Sequence, residues 1–279
     1  MNEIVQKKKL APEIDEYIIN APLVASKCLP GQFVVLRLHE EGERIPITVA
    51  DFDRDTGFLT LVIQEVGKTT IEMGTMKEGD VLSDVIGPLG RESEISEIGT
   101  MVAVGGGIGI PAVHPIARAF KEAGSTVISI LGARSKDLVI WEERMRSFSN
   151  EVLITTDDGS YGKKGFVTDA LRELIESGTK VDQVTAIGPA IMMKMVSEVT
   201  RPKGVRTVVS LNSLMLDATG MCGVCRVEVG GKTKFACVDG PEFNGHEVNF
   251  DILMSRLATY LPEEKVSVEA YKKRLSSGR

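Results

Sequence analysis

The residues best suited to chemistry lie towards the C-terminus, in Asp217-Ala-Thr-Gly-Met-Cys222-Gly-Val-Cys225 and, after an intervening eleven residues, Cys237. Three of the four cysteines fall within sixteen positions, a crowding that suits a metal or redox site better than a disulfide framework. The residues between Cys225 and Cys237 alternate around Gly230-Gly231, which reads as a two-residue hairpin turn. In that register Val229 pairs with Lys232 and Cys237 lies opposite Val224, so the hairpin returns the third thiol beside the first two. Glycines before Cys222 and between the cysteines let backbone N–H groups approach inorganic sulfide. Plant-type [2Fe–2S] sites follow C-x4-C-x2-C with a distant fourth cysteine. Here Asp217 occupies the first position with both spacings intact, so the expectation is a ligand set of Asp217, Cys222, Cys225 and Cys237. Two other readings stay open: Asp217 as a capping residue in a loop, and a zinc site that draws on His246. Cys28, alone between Lys27 and Leu29, reads as a small buried side chain.

A second constellation is Gly105-Gly106-Gly107-Ile108-Gly109-Ile110-Pro111, which follows the apolar run Met101–Val104 and precedes a helical pattern over about 111–123. Between a strand and a helix, glycine permits the tight turn and a close approach to a pyrophosphate, which the helix N-terminus attracts. Gly107, Gly109, Ile110 and Pro111 are therefore nucleotide-binding candidates, although a strand–helix turn also uses glycine structurally. Gly132-Ala133-Arg134-Ser135, Asp157-Asp158-Gly159-Ser160-Tyr161-Gly162 and Gly188-Pro189-Ala190-Ile191-Met192-Met193 each follow an expected strand. Ligands of open α/β sheets bind at such strand ends, which adds Gly132, Ala133, Arg134, Asp157, Gly188, Pro189 and Met192. Arg134-Ser135 could hold a 2′-phosphate, or Arg134 could stack on adenine. Nearer the N-terminus, Pro30-Gly31-Gln32-Phe33, Arg44-Ile45-Pro46-Ile47-Thr48 and Gly67-Lys68-Thr69-Thr70 offer a cation, hydroxyls and glycine N–H groups of the kind that suit a flavin diphosphate. Read from composition alone, an Arg and a Thr on a strand are as well explained as plain surface.

These groups need three different supports. Residues 1–98 hold short runs rich in β-branched and aromatic residues (Glu16–Ile19, Phe33–Leu38, Ile45–Val49, Phe58–Ile63) separated by turn signals, the pattern of a small antiparallel barrel. Residues 99–210 alternate strands and helices, which predicts a doubly wound parallel sheet covered on both faces. Residues 211–279 show little periodicity before Phe250–Leu257 and are too few to bury a large core alone, so a metal site would help hold them together. The whole chain has 279 residues and a formal net charge of −6, which gives no reason to expect nucleic acid as a partner. No secretory pattern opens the chain and no apolar run approaches the roughly 20 residues that span a bilayer, so no membrane association and a cytoplasmic address are expected.

The order of barrel, domain with the glycine-rich Gly105–Pro111 turn, and cysteine hairpin resembles the ferredoxin–NADP reductase superfamily over about residues 1–262. More narrowly, it is similar to the electron-transfer subunit of dihydroorotate dehydrogenase and to the small subunit of NADH-dependent reduced ferredoxin:NADP oxidoreductases, the sulfide dehydrogenase type. The superfamily's Arg-x-Tyr/Phe-Ser/Thr flavin motif would correspond to Arg44 and Ile47-Thr48, with one extra residue and no aromatic at 47. Its diphosphate segment matches Gly67 and Thr69-Thr70, and its Cys-Gly-Pro motif appears as Ile187-Gly188-Pro189, without the thiol. The resemblance implies FAD, a [2Fe–2S] cluster and NAD(H) in preference to NADP(H), with hydride passing from NADH to the flavin and single electrons leaving through the cluster. It also implies a large partner subunit carrying FAD and [4Fe–4S] clusters, which handles ferredoxin and NADP(H) in electron bifurcation. Asp217 separates the two relatives: four cysteines are expected in the dihydroorotate subunit, and aspartate in the transhydrogenase. An NAD-dependent dihydroorotate dehydrogenase subunit is the alternative, and a non-catalytic iron–sulfur redox sensor a further one. No acid–base triad is expected.

Overall fold

A computed structural model describes residues 1–277, so the last two positions of the 211–279 segment lie outside the described residues. The N-terminal part is antiparallel: β1 (Glu3–Ala11), β2 (Ile14–Asn20), α1 (Pro22–Ala25), β3 (Phe33–Arg37), β4 (Arg44–Asp53), β5 (Phe58–Gln64), α2 (Lys68–Thr75) and β6 (Asp84–Leu89). Its six strands run β1-β2-β5-β4-β3-β6, and a bridge from Glu3 to Val81, just ahead of β6, brings the two ends together into a barrel. Alternation explains the packing: Tyr17, Ile19, Val34, Leu36, Leu59 and Leu61 point inward and are buried. Cys28 is among these inner residues, where burial pushes its thiol up to about 11. The charged first strand, with Lys7, Lys8 and Lys9, shows no hydrophobic alternation in sequence. It forms because β2 offers a paired edge and takes it into the ladder.

Parallel elements follow: β7 (Thr100–Gly106), α3 (Gly109–Glu122), β8 (Thr126–Ala133), α4 (Glu142–Arg146), β9 (Glu151–Thr156), β10 (Lys163–Lys164), α5 (Val167–Glu176), β11 (Gln183–Ile187), α6 (Ala190–Thr200) and β12 (Arg206–Ser210). The sheet order is β10-β9-β8-β7-β11-β12, and an antiparallel edge strand, β15 (Glu242–Asn244), joins from the C-terminal part. β7, β8 and β11 are buried along almost their whole length, as strands covered by helices on both faces must be. The order reverses between β7 and β11, which makes that crevice the switch point where such sheets take ligands. The C-terminal part adds β13 (Arg226–Val229), β14 (Lys232–Phe235), α7 (Ala236–Asp239), α8 (Phe250–Leu257) and α9 (Leu261–Ser277). The last helix, α9, buries none of its residues.

One seam holds the barrel against the parallel sheet. Glu16 of β2 accepts from Trp141 Nε1 at 2.8 Å and from Arg144 at 3.0 Å, while Asp51 of β4 accepts twice from Arg118 of α3. Between these pairs His114 places Nδ1 3.3 Å from the Ala50 carbonyl and meets Trp141 and Phe148 edge-on. Burial, the largest influence, pushes this imidazole down to about 4, so it is neutral at ordinary pH. A second seam joins the barrel to the cysteine-bearing part. Arg91 reaches Gly240 and Val238 carbonyls through its N–H groups, and Ser93 donates to Glu242 at 2.7 Å. Burial raises the Glu242 carboxyl to about 7. Among the described residues, no helix is long and apolar enough to cross a membrane.

Candidate functional site: a nucleotide cavity beside a cysteine loop

A cavity of about 1140 Å³ opens at the strand ends between barrel and parallel sheet and runs on to the loop after β12. Pro46, Ile47, Thr48 and Thr70 line it from the barrel. Gly107, Gly109 and Pro111 line it from the β7–α3 turn, Gly132, Ala133 and Arg134 from the end of β8, Asp157 from just after β9, and Gly188, Pro189 and Met192 from the β11–α6 turn and the start of α6. Fourteen of the eighteen residues expected to contact a cofactor thus converge on one space, although they are scattered over 147 positions of sequence from Pro46 to Met192. The convergence follows from topology, because every parallel strand delivers its C-terminal turn to the same edge of the sheet.

The turn after β7 is close-packed. A Cβ built on Gly109 would sit 2.0 Å from the Ile187 carbonyl oxygen, so only glycine lets α3 start this near β11. The N-termini of α3 and α6 both open at the cavity, adding partial positive charge where a diphosphate would lie. Two buried hydroxyls on the cavity wall, Thr155 Oγ1 and Ser213 Oγ, have no hydrogen-bond partner. An unsatisfied buried hydroxyl costs about 1–3 kcal/mol, and a polar ligand in the cavity supplies the missing partner. The space and its orphaned donors therefore fit dinucleotide-sized, polar-edged groups such as FAD and a nicotinamide nucleotide.

Four expected residues do not line the cavity. Ile110 in the first turn of α3 is fully buried, with its side chain in the core under the sheet. Arg44 opens β4 opposite Arg37 and is exposed. Gly67 is the N-cap of α2, and Thr69 turns inward to donate its hydroxyl to Glu43. Only Thr70 of that segment reaches the wall, its oxygen accepting from the N–H groups of Val66 and Gly67. Phe33, from the Pro30–Phe33 segment singled out in the sequence, also reaches the wall, whereas Gln64, Phe166, Ser210, Leu211, Asn212, Ser213, Met215 and Pro241 escaped the sequence reading. The strand-end rule, applied once more to β12, points to 210–213. Pro241 carries no local signal, because folding alone brings it there.

The cysteines sit on the hairpin and the irregular loop before it. β13 and β14 pair with Val229 opposite Lys232, as the spacing predicts, and both turn glycines have positive φ (58° and 70°). The ladder ends at Arg226–Phe235, and Cys237 lies in the first turn of α7 rather than on a strand. The chain still folds back, since the Ala236 N–H donates to the Cys225 carbonyl and the free thiols of Cys225 and Cys237 come to 3.1 Å. Both are buried among Val227, Val229, Phe250 and Leu253, whereas Cys222 is exposed. Burial, chiefly, and the neighbouring Cys225 sulfur push the Cys237 thiol up to about 12.

Asp217 accepts from the Thr219 N–H at 3.0 Å and the Cys222 N–H at 2.9 Å. These bonds hold its carboxyl below the usual range and tether it to the loop carrying Cys222; its charge also helps raise Cys237. Each carboxylate oxygen keeps a second lone pair, so capping and metal ligation are compatible. His246 is withdrawn from the cysteines: Nε2 lies 2.9 Å from Thr200 Oγ1, and its backbone is held by Asn244 and Arg201. Among the described residues no three His, Cys, Asp or Glu side chains close on a point suited to one ion. Three thiols on one hairpin and its loop, with a tethered carboxylate, fit the soft, thiolate-rich donor set of an iron–sulfur cluster.

Comparison with known proteins bears on both halves of the site. Residues 212–249 match the iron–sulfur cluster binding domain of dihydroorotate dehydrogenase B. A dihydroorotate dehydrogenase B (NAD(+)) electron transfer subunit homolog from Thermotoga maritima is 51% identical over 98% of this chain and 96% of its own length. The electron transfer subunit of that name from Fusobacterium nucleatum is 34% identical over 80% of this chain and 87% of its own. Among solved structures, a chain from the work on flavin-based electron bifurcation by the NADH-dependent reduced ferredoxin-NADP oxidoreductase superposes with a TM-score of 0.92 at 50% identity, covering 97% of this chain and 98% of that one.

Proposed function

Because the chain belongs to the family of dihydroorotate dehydrogenase B electron-transfer subunits and their homologues, we propose that it is the electron-transfer subunit of an electron-bifurcating, NADH-dependent reduced ferredoxin:NADP oxidoreductase. The observation that carries this choice is the superposition at a TM-score of 0.92 over nearly the full length of both chains. Sequence identity does not separate the readings, since it is 50% there and 51% to the relative named as a dihydroorotate dehydrogenase B subunit homolog. Asp217 at the first ligand position agrees with it.

In this reading residues 1–98 bind FAD, 99–210 bind NAD(H), and 211–279 hold the cluster. When bound, the flavin converts between the two-electron chemistry of a nicotinamide and the single electrons that a [2Fe–2S] cluster carries. Pro46, Ile47, Thr48 and Thr70 cradle the flavin, while Gly67 and Thr69 fix the start of α2 and Arg44 stands at the outer end of its strand. Gly107, Gly109 and Pro111 present backbone N–H groups and a helix end to the nucleotide diphosphate, with Ile110 anchoring that turn in the core. Gly132, Ala133, Arg134 and Asp157 take the adenosine end; Gly188, Pro189 and Met192 close the crevice near the nicotinamide. Asp217, Cys222, Cys225 and Cys237 hold the iron. The larger partner subunit carries FAD and [4Fe–4S] clusters, exchanges electrons with ferredoxin, and works with this chain in the cytoplasm.

The test is purification of the native complex, with partner identification and flavin, iron and sulfide analysis. Coupled NADP reduction by NADH and reduced ferredoxin is the expected activity. A copurifying FMN subunit that oxidises dihydroorotate would instead establish the second reading, which the match of residues 212–249 favours.

A further inference from the structure

We propose that Glu242 is a positioning residue for electron transfer: with Ser93 and Arg91 it clamps the segment leading from Cys237 against the flavin wall, closed by the neutral carboxyl and eased by its ionisation. This rests on the reading of the barrel as a flavin site and of the cysteines as the cluster site.

Cys237 and Pro241, which lies on the cavity wall, are four positions apart. Along that stretch alternate residues are tied to the chain between barrel and parallel sheet. The Val238 carbonyl accepts from Arg91 Nε at 3.1 Å, the Gly240 carbonyl from the Arg91 N–H at 2.7 Å, and the Glu242 carboxyl from the Ser93 hydroxyl at 2.7 Å. From the other side the Pro241 carbonyl accepts from the Leu211 N–H at 2.9 Å, and Glu242 pairs with Ser210 of β12. Two glycines permit the approach. At Gly90, φ +76°, the Phe33 ring and Pro241 each come within 2.9 Å of where a Cβ would stand. At Gly31, φ +86°, a Cβ would lie 2.3 Å from Ser93 Oγ and 3.2 Å from Glu242 Oε1. The Pro30–Phe33 segment therefore serves the flavin wall at Phe33 and the clamp at Gly31, while the Pro30 carbonyl accepts the Ser93 N–H at 2.9 Å. Barrel, sheet edge and cysteine-bearing segment meet at one carboxyl.

Among the described residues no cation forms an ion pair with Glu242. Burial chiefly raises its carboxyl to about 7; Glu94 adds to this, while the Ser93 hydroxyl and Arg206 oppose it. Glu94 and Arg206 pair with each other at 2.7 Å, and Arg91 spends its Nε on the Val238 carbonyl. Released from the junction, the carboxyl returns to the ordinary 4.5. Between those values the closed seam binds more protons than the open one. Closure is therefore fully favoured below about pH 4.5, weakens as pH rises, and has lost this contribution above about 7. The His114 seam has the reverse dependence, because its imidazole is held below its ordinary value.

The test is hydrogen exchange by mass spectrometry on the flavin- and cluster-loaded full-length protein from pH 5 to 8, corrected for intrinsic exchange, with the Arg91 and Ser93 amides reporting the seam. Wild type is expected to open about 10-fold more readily per pH unit up to about 7, as one coupled proton requires, and then to level off. Glu242→Gln, neutral throughout, is expected to hold the opening at its low acid value. Ser93→Ala, which removes the donor to the charged form, extends the transition to higher pH. Stopped-flow reduction by NADH adds a functional readout: the hydride reaches the flavin at the same rate in wild type and E242Q. The onward passage of single electrons to the cluster depends on pH in wild type and not in E242Q. A flat wild-type exchange profile, an equal slope in E242Q, or an unmoved transition in S93A overturns the clamp. Absence of flavin bleaching or of bound iron in the wild type would instead count against the reductase reading itself.

Discussion

Around the large cavity the contacts come mainly from backbone and short side chains at the C-terminal ends of parallel strands; around the cysteines they come from side chains on a hairpin and on residues 211–225, which form no helix or strand. The first site is positioned by the hydrogen-bond ladder of a seven-stranded sheet and by a polar seam to the barrel. The second has a two-stranded ladder of four residue pairs and a few tethers, among them Arg256 to the Val224 carbonyl and Arg91 to the Val238 carbonyl. The difference teaches where order originates. A nucleotide site on strand ends is organised before its ligand arrives, whereas a thiol loop of this kind relies on the metal for much of its stability.

The largest expected effect separates the two sites outright. Cys237→Ser should abolish iron–sulfur absorbance and bound iron while leaving flavin content and NADH-dependent flavin bleaching in place. Retention of a full complement of iron would show that the hairpin is not the cluster site.

Next in size is acid loosening of the seam that positions the cavity. The folded state holds His114 down at about 4, below the ordinary 6.5. The unfolded chain therefore binds more protons between those values, and the neutral imidazole's contribution is complete above about pH 6.5 and lost as pH falls towards 4. The expected loss is on the order of 3 kcal/mol, read from urea midpoints across that range. His114→Leu should lack this share of the dependence. An equal pH slope in both proteins would place the acid sensitivity elsewhere.

The smallest effect tests preorganisation itself. Thr155→Val removes the orphaned hydroxyl, so the ligand-free protein should gain up to about 1 kcal/mol while nucleotide affinity falls several-fold. Equal affinity with lowered stability would mean that the hydroxyl serves packing alone.

How much of this was legible depends on whether the signal was local. The hairpin was, because Gly230-Gly231 and the alternation around it dictate a turn and a register within a dozen residues, and the thiol contact follows. The Gly105–Pro111 turn between strand and helix was legible for the same reason, although the packing of Gly109 against the Ile187 carbonyl was not. β1 was not, since its run of lysines hides its pairing with β2, nor was α9, which buries none of its residues. Cys237 shows the limit at short range: the ladder places it correctly beside Cys225, yet the chain has already turned into α7 when it arrives.

By itself, then, the order of residues determined the chemistry on offer: which groups are thiols and carboxylates, how they are spaced, and which glycines precede helices. Spacing along a chain is a covalent fact and needs no fold to be true. Tertiary structure decided which of those groups share a space. It turned Ile110 and Thr69 inward, left Arg44 outside, gave His246 to Thr200, and brought Phe33, Ser213 and Pro241 to one wall. Those outcomes depend on burial and on hydrogen bonds between residues far apart in the chain, and such contacts exist only once the sheet and barrel have closed on each other.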